Sequence, residues 1–302
     1  MSPNFYDDIK YNEAQFKASH NSYAKHSTLE AQLKWRANKP GVFGCRGLEL
    51  DIAQADDLKN FSVSHSLKYK SGPEYQLSSY LKILKFWSDQ NPGHDPVTVT
   101  LDIKRSRDRA SFPLALDAYL EEHFDSDRLF KPGGLMVPGK GLVASANQKG
   151  WPTLGALKRT FIFVLSGSFL GDGKKTKRLY AKTDPGNRLC FSDRTVGTGK
   201  TTIALGKGNR VFLNFDMGGA RNISENEISD GRFTSDEINR LFRYITGTKG
   251  LISRGFGLNA WKDWRVAQGL GVNILGTDSM TKGQWAKVGA APFAKRLFTP
   301  LI

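Results

Sequence analysis

Side chains suited to proton transfer and cation binding recur in four short segments of the first third of the chain. They are His20 and Asn21 in "AQFKASHN", Glu49 and Asp51 in "GCRGLELDI", His65 in "NFSVSHS", and Asp102 and Lys104 in "PVTVTLDIK". Each group stands near the end of a run of apolar residues, which is the pattern of a buried strand. The chain has only five histidines, so two of them at such positions suggest a shared site.

The residue types in these segments indicate a hard cation beside two imidazoles. Glu49 and Asp51 are two positions apart, so on a strand their side chains point to the same face. Amide and carboxylate oxygens, without a Cys/His quartet, suit Ca²⁺ or Mg²⁺ rather than structural zinc. The histidines remain available for proton transfer and for stabilising a negative transition state. A cation with two histidines favours phosphodiester cleavage.

Eight strand-like runs predict the elements that position these groups. Besides the four segments above, the runs are "TFIFVLSG", "RVFLNFDMG", "GLISRGFG" and "GVNILGTDS". Helical patterns between them predict an α/β fold, an irregular (β/α)8 TIM barrel, as a single domain over residues 1–302. Residues 51–61 are too few for a crossover helix, so a helix is expected to be missing between strands 2 and 3. In such a barrel the carboxyl ends of the strands converge, which would assemble the site.

Apolar spacings of three and four predict helices over residues 74–90 and 113–124. A third helix is predicted over 234–245, with Thr234 and Glu237 as a capping box. The Gly- and Lys-rich residues 171–209 are expected to form a long loop, with an extra hairpin through "RLCFSD".

The charge balance favours a negatively charged partner. The 302 residues include 44 Lys and Arg against 29 Asp and Glu, a net charge of +15. An anionic membrane face or a phosphate-bearing substrate fits this charge, and a merely solubilising surface is the alternative. Nucleic acid is not expected, because there is no dense basic tract with interleaved aromatics. No apolar run is long enough to predict a transmembrane segment.

Two further features leave alternatives open. No charged leader with an apolar block precedes Tyr11, so no signal peptide is predicted, although a mature exported form would look the same. Cys45 and Cys190 permit one disulfide or two free thiols.

Four segments of the sequence resemble motifs of the phosphatidylinositol-specific phospholipase C family. "SHNSY" resembles its first histidine motif, "GCRGLELDI" its second strand, "VSHS" its second histidine and "PVTVTLDIK" the strand with its last acidic ligand. The likeness is good over residues 15–105. Farther along, "SRGF" resembles the segment with which eukaryotic members grip the inositol ring, and "LGTDS" resembles a last strand.

The resemblance implies a calcium-dependent enzyme of the bacterial type. Metal-free members place an arginine where this chain has Asp51, and a carboxylate cannot replace a cation. The implied Ca²⁺ ligands are Asn21, Glu49, Asp51 and Asp102. The implied catalytic residues are His20 and His65, with Glu49 or Asp102 accepting the proton of the attacking hydroxyl. The histidine that protonates the leaving oxygen and the one that steadies phosphoryl charge are not distinguished.

The implied reaction is attack of the inositol 2-hydroxyl on phosphorus, which releases diacylglycerol and a cyclic inositol phosphate. Candidates for substrate binding are Lys104, Arg254, Phe256 and Asp278, the last for a ring hydroxyl. The strand ending "VLSGSF" lacks the lysines that eukaryotic members use on ring phosphates, so unphosphorylated phosphatidylinositol is the expected substrate. The resemblance also implies a secreted monomer that contacts an anionic membrane peripherally.

Two other functions stay open on the sequence. A glycerophosphodiester phosphodiesterase or sphingomyelinase D-like enzyme shares the barrel, the paired Glu-x-Asp and two histidines. Those enzymes tend to have His-Arg and His-Asp, where this chain has His20-Asn21 and His65-Ser66. The second alternative is a catalytically inactive lipid-binding module.

Overall fold

A computed structural model of the chain describes residues 7–24, 27–34, 44–167, 172–196, 208–217, 250–279 and 293–294. The strands are β1 (Ala14–Ser19), β2 (Gly47–Gln54), β3 (Phe61–Val63), β4 (Val97–Arg105), β5 (Phe161–Ser166), β6 (Phe191–Val196), β7 (Phe212–Asp216), β8 (Ile252–Phe256), β9 (Ile274–Thr277) and β10 (Phe293–Ala294). The α-helices are α1 (Leu29–Lys34), α2 (Leu77–Gln90), α3 (Phe112–His123), α4 (Leu142–Lys149), α5 (Gly173–Lys182) and α6 (Trp261–Gly269).

In these described residues, eight parallel strands close into a barrel with helices between them. The order runs β1, β2, β4, β5, β6, β7, β8, β9, and β9 pairs with β1. The closing contact between β1 and β2 is a single pair, Ala18 with Gly47. A Cβ on Gly47 would lie 2.5 Å from the Ala18 Cβ, so this seam requires a glycine. The predicted irregular (β/α)8 barrel is confirmed.

The structure corrects the place of the third predicted strand. The segment "NFSVSHS" contains β3, which runs antiparallel to β2 and pairs Val63 with Ile52. The connection after β2 lacks a helix as expected. It is a hairpin turn that leads directly into the antiparallel strand β3 beside β2. The next barrel strand is β4, which follows α2 and lies parallel to β2.

The expectation of a long loop over residues 171–209 was wrong for residues 172–196, and residues 197–207 lie outside the described residues. This region contains α5 and β6, and "RLCFSD" leads into a barrel strand rather than an extra hairpin. Because β6 has a polar sequence, it is not recognised as a strand by a run of apolar residues. Its Asp193 is buried against the buried Lys177 ammonium, 2.5 Å away, and this long-range pairing compensates the buried charge.

The helices predicted over 74–90 and 113–124 are confirmed as α2 and α3, whereas residues 234–245 lie outside the described residues.

Strand β5 shows why many runs are apolar at consecutive positions. Phe161, Phe163 and Leu165 pack with the side chains of α2 and α3, and Ile162 and Val164 pack in a second cluster. Both faces of the strand are therefore covered. Among the described helices, none has the length and apolarity needed to cross a bilayer.

Candidate functional site

The turn after β1 is built to reach β2. Asn21 has φ of +49°, a left-handed conformation that asparagine tolerates better than most residues. Its backbone N–H donates to Glu49 Oε2 at 2.9 Å. The Ser22 hydroxyl accepts the Glu49 backbone N–H at 2.8 Å. The turn that carries His20 and Asn21 is thus fixed to β2 at two points.

Three carboxylates converge at the carboxyl ends of β2 and β4. Asp51 and Asp102 are directly paired across the two strands, and Glu49 lies two residues before Asp51. Their exposed fractions are 4% for Glu49, 1% for Asp51 and 9% for Asp102. The Lys104 ammonium lies 3.1 Å from Asp51 Oδ2 and 2.5 Å from Asp102 Oδ2. One cation therefore joins two of the three acids.

Tyr23 connects Asn21 to this cluster. Its hydroxyl donates to Asp51 Oδ2 at 2.8 Å and lies 3.4 Å from Asn21 Oδ1. Together with the Asn21–Glu49 hydrogen bond and the two ion pairs of Lys104, these contacts link the predicted cation ligands Asn21, Glu49, Asp51 and Asp102 in one chain.

The cluster strongly perturbs its titratable groups. Burial raises the pKa of Asp51 to about 6; Asp102 and Glu49 add to this rise, while Lys104 and the Tyr23 hydrogen bond oppose it. Burial alone would lower the pKa of Lys104, but Asp102 and Asp51 outweigh burial and raise it. Burial and the nearby Asp51 raise the pKa of the Tyr23 phenol. The acids therefore favour a cation among them.

His20 is held between two carboxylates. Its Nδ1 lies 2.9 Å from Asp278 Oδ1, and its Nε2 lies 3.4 Å from Glu49 Oε2. An ionised carboxylate can only accept hydrogen bonds, so with Asp278 ionised the Nδ1–H donates to it and Nε2 is left to exchange a proton on the Glu49 side. Phe256 stacks on the imidazole with a 5.1 Å centroid separation. Asn259 donates to Asp278 Oδ2 at 3.0 Å and accepts the Asp278 backbone N–H at 2.7 Å.

A polar chain crosses from β5 to β2 through β7 and β8. Arg254 lies 3.1 Å from Glu49 Oε1 and donates to Asn214 Oδ1 at 2.9 Å. Asn214 in turn donates to the Ser166 hydroxyl at 3.1 Å. The Arg254 guanidinium also lies over the Phe256 ring at 5.2 Å. These contacts fix the guanidinium beside Glu49.

The structure links nine of the predicted site residues through contacts, and His65 is the exception. A chain of contacts joins His20, Asn21, Glu49, Asp51, Asp102, Lys104, Arg254, Phe256 and Asp278. His65 is exposed, and it follows Ser64, whose backbone N–H donates to the Asp51 carbonyl at 2.9 Å. The short β3 therefore brings Ser64 beside Asp51, but among the described residues the His65 side chain makes no hydrogen bond, ion pair or ring contact with the other predicted site residues.

Four contributors were not singled out from the sequence: Tyr23, Ser166, Asn214 and Asn259. Asn214 interrupts the apolar run "VFLNF" and Tyr23 lies within "SHNSY", so both carried a local signal. The partnership of Asn259 with Asp278 depends on the loop after β8 and has no such signal.

The oxygen donors of this group are of the type that calcium binds. One amide and three carboxylates supply hard oxygen ligands, and the buried acids need positive charge, so the chemistry fits Ca²⁺. Over the described ranges, no three His, Cys, Asp or Glu side chains stand as a ready-made metal cluster. Lys104 and Arg254 form ion pairs with the acids.

Comparison with known proteins gives one family match. The family model described as phosphoinositide phospholipase C, Ca²⁺-dependent, matches residues 58–210, about half of the chain. The matched segment includes His65, Asp102 and Lys104, whereas the strands that carry His20 and Glu49 precede it. A search of curated proteins finds no match.

Three solved structures share the fold. A calcium-dependent phosphoinositol-specific phospholipase C from the Gram-negative bacterium Pseudomonas sp. is 21% identical with a TM-score of 0.68, over 95% of this chain and 96% of that chain. A Ca²⁺-dependent phosphatidylinositol-specific phospholipase C from Streptomyces antibioticus is 15% identical with a TM-score of 0.64, over 89% and 95%. A phosphodiesterase from Oleispira antarctica, in complex with sn-glycerol-3-phosphate, is 10% identical with a TM-score of 0.51, over 89% and 94%.

Proposed function

The chain belongs to the Ca²⁺-dependent phosphoinositide phospholipase C family, and on this premise we propose that it cleaves phosphatidylinositol to diacylglycerol and a cyclic inositol phosphate. The observation that carries the proposal is the position of His20. Its imidazole lies between Asp278 and Glu49, beside the buried carboxylates of β2 and β4.

The first proton transfer is proposed for Glu49 and His20 acting as one unit. The oxygen of the inositol 2-hydroxyl forms a bond to phosphorus, and its proton passes to the pair formed by Glu49 Oε2 and His20 Nε2. Asp278 accepts the hydrogen bond from Nδ1–H, so it orients the ring and stabilises the positive charge that develops on it. General base assistance of this kind contributes on the order of 10²–10⁴ in rate.

The second proton transfer is assigned to His65. As the bond from phosphorus to the glycerol oxygen breaks, the His65 imidazole gives that oxygen its proton, and diacylglycerol leaves. Two observations support this role: the His65 side chain is exposed, and the backbone of the preceding residue, Ser64, bonds the Asp51 carbonyl. Water can later open the cyclic phosphate by the reverse proton path.

Asn21, Glu49, Asp51 and Asp102 are the residues that would hold the calcium ion. When bound, calcium would supply positive charge that acidifies the 2-hydroxyl and stabilises the negative phosphoryl oxygens. Tyr23 orients Asn21 and Asp51 for that purpose through its hydroxyl.

Unphosphorylated phosphatidylinositol is the proposed substrate. Arg254 and Phe256 lie beside His20 and Glu49, where an inositol ring would be gripped. β5 ends in Ser166, whose hydroxyl is bonded to Asn214 rather than to a phosphate-binding lysine. Within residues 161–167, the end of β5 contains no lysine of the kind that eukaryotic members use on ring phosphates.

The substrate is proposed to be met at an anionic membrane surface, with the protein as a peripheral monomer outside the cell. The net charge of +15 supports this partner. Leu67 is 55% exposed, and with the neighbouring Lys68 it follows His65 at the rim. A basic residue near an anionic surface contributes about 1 kcal/mol to binding.

Product analysis on phosphatidylinositol vesicles with calcium present tests the proposal. The expected products are diacylglycerol and cyclic inositol phosphate, and His20→Gln should lower the rate on the order of 10²-fold or more. His123→Gln on α3 is the matched control and should retain the parental rate. A lipid phosphate as product would instead support the glycerophosphodiester phosphodiesterase type. A fully active His20→Gln variant would contradict the proposed role of His20.

A further inference from the structure

Lys104 lies where positive charge is needed among the buried acids. We propose that Lys104 is the counter-ion of Asp51 and Asp102 and that calcium binds by displacing its ammonium from them; this inference rests on the proposed calcium site. The side chain is thus a competitor that sets how much calcium the site requires.

The backbone of β4 is shaped to deliver this ammonium. The pairing of β2 with β4 joins Ile52 to Ile103 and then Ala53 to Arg105, so Lys104 is skipped in the ladder. Such a bulge re-aims a side chain. Here it directs the Lys104 ammonium to within 3.1 Å of Asp51 and 2.5 Å of Asp102.

Charge explains why the ammonium lies between these two acids. Asp51 and Asp102 face each other across paired strands and are nearly inaccessible to water. Two buried carboxylates without a nearby cation would be strongly unfavourable. The single ammonium lies within ion-pair distance of both.

Exposure and tethering explain why Lys104 is the group that moves. Its side chain is 16% exposed, against 1% for Asp51 and 12% for Asp102, so the lysine reaches solvent and Asp51 does not. The flexible lysine stem allows the head to swing out. Arg254, the other nearby cation, is 5% exposed and is anchored to Asn214 as well as to Glu49. Calcium brings two charges and accepts several oxygen ligands, so it outcompetes one ammonium.

The displacement of the Lys104 ammonium can be measured in the parent protein by chemical labelling of its lysines. Reductive methylation followed by peptide mass spectrometry would measure the modification of Lys104 in chelator and in excess calcium. The expected result is a several-fold increase for Lys104 on adding calcium, with no change for the exposed Lys82 of α2. Equal Lys104 labelling in both conditions would overturn the proposal.

Calorimetric titration with calcium separates this inference from the calcium site itself. Lys104→Met should bind calcium on the order of tenfold more tightly than the parent, because no ammonium has to be displaced. It should also melt at a lower temperature in chelator and regain more stability with calcium; Lys82→Met should match the parent in both measurements. Calcium binding by the parent with no gain in Lys104→Met would overturn the displacement alone. No binding by either protein would overturn the calcium site and the displacement together.

Discussion

His20 Nδ1 and Asp278 Oδ1 lie 2.9 Å apart although the residues are 258 positions apart in sequence. The seam of the barrel brings them together, because β1 and β9 pair Ser19 with Thr277 immediately before these two residues. Since Asn259 holds the Asp278 carboxylate from its other side, the imidazole is fixed in one orientation. The first prediction follows from this relationship.

Asp278→Asn should lower kcat on the order of 10²-fold or more while leaving KM nearly unchanged, because the amide no longer stabilises a protonated imidazole. Steady-state kinetics on phosphatidylinositol vesicles checks this. Asp127→Asn, an exposed substitution remote from the barrel rim, is the control. A parental kcat in Asp278→Asn would show that the carboxylate does not support His20 during turnover.

Asp51→Asn should weaken calcium binding by at least about tenfold, because a buried, charged oxygen ligand is replaced by a neutral amide. Titration calorimetry measures the change. Asp56→Asn is a suitable comparison, since Asp56 is exposed and pairs with Arg105 and Arg107. If Asp51→Asn bound calcium as tightly as the parent, Asp51 would not be a ligand.

Gly47→Ala should reduce the free energy of unfolding by about 1–3 kcal/mol, the usual effect of overpacking. The added Cβ would meet the Ala18 Cβ at 2.5 Å and Ile274 at 3.0 Å, at the closing seam. Urea unfolding checks the loss. At Gly93 a Cβ meets nothing within 4 Å, so Gly93→Ala should be nearly neutral; equal effects at both positions would argue against a tight seam.

The stability of the chain should fall with acid through His94. Burial lowers the pKa of His94 from 6.5 to about 4, and the ring bonds Ser88 and the Asp95 carbonyl as a neutral imidazole. As the pH falls, His94 in the unfolded chain therefore takes up a proton at a higher pH than His94 in the folded chain. The contribution of the neutral imidazole to stability is complete above the pKa of the unfolded chain, and it is lost as the pH falls toward the pKa of the folded chain. The expected loss from His94 is about 2 kcal/mol between about pH 7 and pH 5.

Urea unfolding at the two pH values measures that loss. His94→Asn retains a donor for the Asp95 carbonyl but does not titrate, so its stability should depend less on pH by that amount. The same pH dependence in His94→Asn and the parent would refute the assignment to His94.

Much of the site was predictable because it depends on local periodicity. Glu49 and Asp51 share a face since strand side chains alternate, and parallel strands bring Asp102 beside them. The direction of β3 was not predictable from its apolar run, because hairpin and crossover strands share the same residue pattern. The short connection from β2 was the available signal, and it was interpreted as a missing helix.

Other features depend on distant partners or on register and have no local pattern. The buried Asp193 of β6 depends on Lys177 of α5, so the strand looked like a polar loop. The skipped pairing that turns Lys104 toward Asp51 is a one-residue shift in register. Likewise, Asp278 was predicted to bind a ring hydroxyl. Its contact with His20 required knowing how the last barrel strand meets the first, and the ring-hydroxyl role stays a prediction.

The most direct test of the central claim is the rate of diacylglycerol release from phosphatidylinositol vesicles as free calcium is varied. The account predicts that release falls to background in excess chelator and returns when calcium is restored, because Asn21, Glu49, Asp51 and Asp102 then hold the ion beside His20. An undiminished rate in chelator would contradict it.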